Sequence, residues 1–129
     1  MTTEPPAAID RLLAEAREGM VRVTAEELDG QIADGALVVD IRPIEQRDRD
    51  GELAGALVVQ RNVLEWRLDP SSPHRLPEAE SGRRVIVVCN EGYASSLAAA
   101  TLRRLGLDDA TDLDGGFQAV LELRSRSGD

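Results

Sequence analysis

The stretch VVCNEGYASSLAAA, residues 87–100, carries the only cysteine of the chain, Cys89, between an apolar run and a helix-forming pattern. A cysteine thiolate is a nucleophile capable of covalent catalysis. The backbone N–H groups of a loop and first helical turn have no intrahelical partners, and the helix dipole adds partial positive charge there, so an anion is stabilised. At such positions the cysteine pKa falls from about 8.5 to roughly 7.5 or lower, which makes the thiolate abundant at neutral pH. Gly92 permits a tight turn that lets the loop curl around the sulfur. A buried structural thiol also fits this position, because free cysteine is among the most buried residue types. Ser95 and Ser96 either donate hydroxyl hydrogen bonds to the sulfur or cap the helix.

Other chemistry-bearing residues are sparse. Asp40 ends the apolar run ALVVDI, residues 36–41, and Arg42 follows it, which reads as a strand-end ion pair. His74, the only histidine, lies in SSPHRLP without cysteine or histidine neighbours at ligand spacing, so no metal site is indicated. DLDGG lacks the glycine spacing of a dinucleotide fingerprint. Trp66 in LEWRLDP either walls the mouth of a site or plugs the side of a sheet.

These residues need elements to position them. Ile9, Leu12, Leu13 and Ala16 recur at helical spacing, and Gly19 supplies a stop. MVRVT, residues 20–24, reads as a short strand; Thr24 and Glu27 form a capping box that opens a helix carrying Leu28 and Ile32. ALVVDI is a continuous apolar run, as in a strand covered on both faces. Pro43 is set to open a short helix. Strands at 56–62 and 84–89 follow, with a short helical piece at 63–68 and a proline- and serine-rich loop between them. Ala98, Leu102 and Leu105 share a face of the helix after Cys89, Gly106 caps it, ATDLDGG supplies a last strand and turn, and Phe117, Val120 and Leu121 mark a final helix.

Strands alternating with helices predict an α/β domain whose mainly parallel central sheet, of about five strands, is flanked by helices on both faces. In such sheets ligands bind at the carboxyl ends of the strands, which is where Asp40 and Cys89 fall. At 129 residues the chain suits one domain, drawn at 9–123 between a flexible leader (1–8, opening on the polar, proline-rich MTTEPP) and a flexible tail (124–129). With 42% hydrophobic residues but only Trp66, Tyr93 and Phe117 aromatic, the core must be Val, Leu, Ile and Ala. A net charge of -9 repels nucleic acid and anionic membranes, and neither is an expected partner. The basic residues are all arginine, which reads as base-composition bias in the source genome. The lone cysteine makes no internal disulfide, and no apolar stretch suits a signal peptide or a membrane span, so a cytoplasmic location is expected.

At these residues the chain resembles the rhodanese-like domain family, small α/β modules that carry sulfur as a cysteine persulfide. VVDIRPIEQRDRDGELAGALVV is similar to the family's stretch with Asp and Arg after a central strand, and VVCNEGYASSLAAATLRRLGLDDATDLDGGFQAV to its active-site loop, helix, last strand and double-glycine turn. The likeness extends over residues 20–123. It implies a sulfurtransferase in which Cys89 is the sulfur-bearing nucleophile and Asn90, Glu91, Gly92, Tyr93, Ala94 and Ser95 form the cradle whose amides face it. Asp40 and Arg42 match a structural charged pair near the loop base, and Trp66 is a further supporting residue. The implied partners are a small-molecule or protein sulfur donor and a thiol acceptor, with no cofactor.

Three departures refine this expectation. Ala94 stands where many members place an arginine, and Glu91 adds negative charge, so thiosulfate should find little side-chain attraction. Ser95 stands where the related dual-specificity phosphatases need an arginine for bidentate phosphate binding, which argues against phosphatase activity. Val120 or Leu121 replaces a frequent tryptophan of the last helix, a packing change. The alternative function is a noncatalytic or weakly active module for binding or regulation.

Overall fold

Four short parallel strands set the frame in the computed structural model, which describes residues 5–127. They are β1 (Leu37–Asp40), β2 (Ala56–Val58), β3 (Val85–Val88) and β4 (Ala110–Asp112), in the order β2-β1-β3-β4. Asp40 is in register with Val58 on one side and Val88 on the other, so Cys89 emerges one residue beyond that level. All four residues of β1 and of β3 are buried, which explains their unbroken apolar character.

The alternation of side chains divides the core into two layers. Val39, Val85 and Val87 pack on one face of the sheet with Leu64, Leu68, Ala98 and Leu102. These partners come from α4 (Leu64–Leu68) and α5 (Ala94–Arg104). Val38, Ile86 and Val88 pack on the other face with Leu28, Phe117 and Val120, from α2 (Ala25–Ala33) and α6 (Gly116–Arg126). Of the two residues set against the family's frequent tryptophan, Val120 is thus a core residue and Leu121 is partly buried against the same layer. α1 (Ala8–Arg17) lies outside these layers against α5 and buries none of its own residues. α3 (Ile44–Asp50) starts after Pro43, and Thr24 and Glu27 form the expected reciprocal capping box at the head of α2.

The segment 20–24 corrects the expected strand count. It contributes only an isolated bridge between Val23 and Leu113, and the sheet has four strands rather than about five. Val23 alone pairs, donating to the Asp112 carbonyl and accepting from the Asp114 N–H, and Thr24 is already the cap of α2. β2 also stops at Val58, short of the expected 62, as the chain tightens into a 3-10 turn at Arg61–Val63. α6 continues to Arg126, so residues 124–126 of the stretch drawn as a tail are helical; Arg126 donates to Glu26 on α2. Of the stretches drawn as leader and tail, residues 1–4 and 128–129 lie outside the described residues. Among the described residues no helix is long and apolar enough to cross a membrane.

Candidate active site

Beyond Val88 the chain leaves the sheet, and its next two carbonyls are taken by the head of α6. Phe117 N–H donates to the Cys89 carbonyl (2.9 Å) and Gln118 N–H to that of Asn90 (3.1 Å). This contact requires glycine at 116, where a Cβ would come within 2.5 Å of the Cys89 carbonyl oxygen. With those carbonyls engaged by α6, the following amides turn inward: those of Gly92 (3.1 Å) and Ser95 (3.4 Å) donate to Cys89 Sγ. Gly92 has φ +90°, and a Cβ there would sit 2.8 Å from the backbone nitrogen of Gly115, so both backbone freedom and space demand glycine. Cys89 is 7% exposed, and its Sγ stands 3.2 Å from the Ser95 hydroxyl.

Behind the loop lies a polar network that the sequence does not announce. Asp112, the fully buried last residue of β4, accepts Ser95 Oγ (2.7 Å) and Ser96 Oγ (2.8 Å) on Oδ2. Arg22 grips the same carboxylate through Nε to Oδ1 (2.8 Å) and Nη2 to Oδ2 (3.1 Å). Arg22 and Arg17 also both donate to the Gly92 carbonyl, at 2.9 and 2.8 Å, and Arg17 Nε donates to Ser96 Oγ (2.9 Å). Burial works against the Arg22 charge, but the hydrogen bond to Asp112 and the attraction of Asp112, Asp114 and Cys89 outweigh it and raise its pKa. Both serines therefore serve the loop through Asp112, and only Ser95 also meets the sulfur; neither caps α5, whose N-cap is Tyr93. One signal was available for Asp112: like Asp40, it is an acid at the carboxyl end of a strand.

Asp40 and Arg42 form the expected pair, both side chains fully buried, with Nη2 2.8 Å from Oδ2. Arg42 also donates to the Gly51 carbonyl (3.0 Å) and stacks 3.8 Å from the centre of the Phe117 ring. Its Nη1 is buried without a hydrogen-bond partner; the aromatic face is what the guanidinium has in place of one.

The sulfur looks into a cavity of about 380 Å³ lined by Glu91, Tyr93 and Ala94 from the loop and by Arg42 and Arg61 from elsewhere. Asn90 also lines it, its side-chain oxygen accepting from Gln118 Nε2 at 2.9 Å. Arg61, absent from the sequence expectations, is engaged by both oxygens of Glu65 (2.9 and 3.0 Å). Trp66 is neither in this cavity nor plugging the sheet. It is 58% exposed and lines a separate surface cavity with Leu105, because Leu64 and Leu68 hold the inward face of α4 and the residue midway between them points outward.

Residues 24–123 match the rhodanese-like domain family. The chain belongs to that family. The plant adenylyltransferase and sulfurtransferase MOCS3-1 of Zea mays is 31% identical over 100 residues, which are 76% of this chain and 21% of that protein. The rhodanese-like chain thus spans about a fifth of that relative's length. The thiosulfate sulfurtransferase GlpE of Stutzerimonas stutzeri is 29% identical over 97 residues, covering 75% of this chain and 81% of that protein. Among solved structures, a protein of unknown function from Rhodopseudomonas palustris, described as a "Possible Tyrosine Phosphatase", matches with a TM-score of 0.81 and 28% identity over 95% of this chain and 96% of that one. Both of these curated relatives carry sulfurtransferase in their names.

Proposed function

We propose that this rhodanese-like domain is a sulfurtransferase that carries sulfane sulfur on Cys89. The observation that carries the reading is the placement of the Cys89 sulfur at the base of an open cavity, with two backbone amides donating to it. Such donors favour the thiolate and do not need to reorganise during reaction. The thiolate attacks the sulfane sulfur of a donor, forming Cys89 S–S⁻ while the donor's remaining fragment departs with the electron pair of the broken bond. An acceptor thiolate then attacks the outer sulfur, takes it as a persulfide and returns Cys89 to its thiolate. With no second cysteine in the chain, the acceptor must be another molecule.

Thiosulfate is proposed as a weak donor. The loop itself offers Glu91 and no cation, and Arg61 at the cavity wall is balanced by Glu65. Ser95 at the position of the phosphatase arginine argues against phosphate ester hydrolysis, whatever the description of the Rhodopseudomonas palustris protein. The lack of a loop arginine also favours a second reading, a module that binds partners without turnover.

Intact-protein mass after treatment with thiosulfate, a persulfide or a polysulfide separates these readings. The expected result is a gain of one sulfur atom, lost to cyanide or a small thiol and absent from Cys89→Ser, with thiosulfate the poorest donor and improved by Ala94→Arg. A labile sulfur adduct on folded Cys89→Ser would overturn the mechanism. Failure of every donor would favour the binding module.

A further inference from the structure

Ser95 has one hydroxyl proton and two acceptors for it. Its oxygen lies 2.7 Å from Asp112 Oδ2 and 3.2 Å from Cys89 Sγ. In the thiol state these distances describe a chain: the S–H donates to Ser95 Oγ, which donates to Asp112. In the thiolate state the sulfur has lost its proton and needs donors, and Ser95 can serve it only by turning away from Asp112. Asp112 can release that proton, because it retains the bidentate Arg22 and the Ser96 hydroxyl. The Ser96 hydroxyl is held by the same carboxylate oxygen, but the sulfur makes its hydroxyl contact with Ser95.

We propose that Asp112 is a positioning residue that sets the reactivity of Cys89 through Ser95, holding the hydroxyl proton while the sulfur is a thiol and yielding it when the sulfur ionises. The thiol proton leaves to water; the Ser95 proton only rotates, and no bond to it breaks. The assignment rests on Cys89 being the reactive group of the proposed function, but not on sulfur transfer itself.

Opposing charges bear on this exchange. Arg22 and, through Ser96, Arg17 face Asp112, with Asp114 beyond Arg22. Arg42, Arg61, Glu91 and Tyr93 line the cavity in front of the sulfur. His74, the only histidine, is not among them.

The test is the rate of Cys89 alkylation by iodoacetamide as a function of pH, a readout that needs no sulfur donor. Asp112→Asn removes the competing anion while keeping the shape, and should react about threefold faster on the acid side of the profile, an effect that shrinks when Ser95→Ala is also present. Ser95→Ala alone should react about threefold more slowly there, because the thiolate loses a donor. Ser96→Ala removes a bond to the same carboxylate but no contact with the sulfur, and should slow alkylation less than Ser95→Ala does. A merely structural network would treat the two serine variants alike. Equal profiles for them, or an unchanged or slower profile for folded Asp112→Asn, overturn the assignment; should Asp112→Asn fail to fold, the contrast between the serine variants decides.

Discussion

Asp40 closes β1 and Asp112 closes β4, both fully buried and both paired to an arginine, yet the two carboxylates are wired differently. Asp40 meets Arg42, two residues on, and that arginine donates to Gly51, stacks on the Phe117 ring and touches the cavity wall without a bond to the loop that holds the sulfur. Asp112 meets Arg22 from the segment before α2, and through two serines and the Gly92 carbonyl it is joined to the loop that holds the sulfur. A local pair of this kind finishes a strand end; a pair assembled from distant segments can govern a site. The first should appear in stability and the second in reactivity.

The largest effect expected from this contrast is on Asp40. Asp40→Ala leaves the Arg42 guanidinium buried without its counter-ion and should cost about 3–5 kcal/mol, read from urea unfolding. Whatever folded protein remains should show a smaller displacement of its alkylation profile than Arg22→Met; an equal or larger one would erase the distinction between the two aspartates.

Next comes Arg22→Met. The arginine is mostly buried, so its loss should cost about 1–3 kcal/mol through the uncompensated Asp112, less than at Asp40. Because Arg22 and the Cys89 anion attract each other, alkylation at pH 7 should also slow, and by more than Asp40→Ala changes it. Unfolding midpoints and alkylation rates measured on one sample would expose the opposite ranking if it occurred.

The smallest effect serves as a baseline far from both carboxylates. The Glu26 carboxyl is held below its usual range by its own backbone amide at the head of α2 and by Arg126. A lowered folded-state value means that its stabilisation is present above the ordinary carboxylate range and disappears as pH falls through the folded value. Glu26→Gln should therefore shift the urea midpoint slightly at pH 7 and not at pH 3. A larger shift at pH 3 than at pH 7 would reverse that sign.

Much of this molecule is written locally. The apolar runs that carry Asp40 and Cys89 at or near their ends, the capping box of Thr24 and Glu27, the helix after the loop and the turn glycine at 92 were legible, because strand burial, helix capping and tight turns depend on neighbours a few residues apart. The Asp40–Arg42 pair was legible for the same reason. The expected strand at 20–24 is reduced to one bridge: its pattern suits a strand, but how far it pairs is set by Leu113 and its neighbours, 90 residues away. Trp66 was unplaced because only packing shows which face of α4 turns inward. The chain alone thus determined where the thiol sits, and the expected cradle of residues 90–95 contains the two amides, those of Gly92 and Ser95, that donate to it. The tertiary structure decided what surrounds those groups: Arg17 and Arg22 reach the loop across 70 residues or more, Arg61 joins the cavity wall, and Asp112 meets both serines. Hydrogen bonds and charges act over a few ångströms of space regardless of separation along the chain, so these contacts exist only once the sheet and helices bring the segments together.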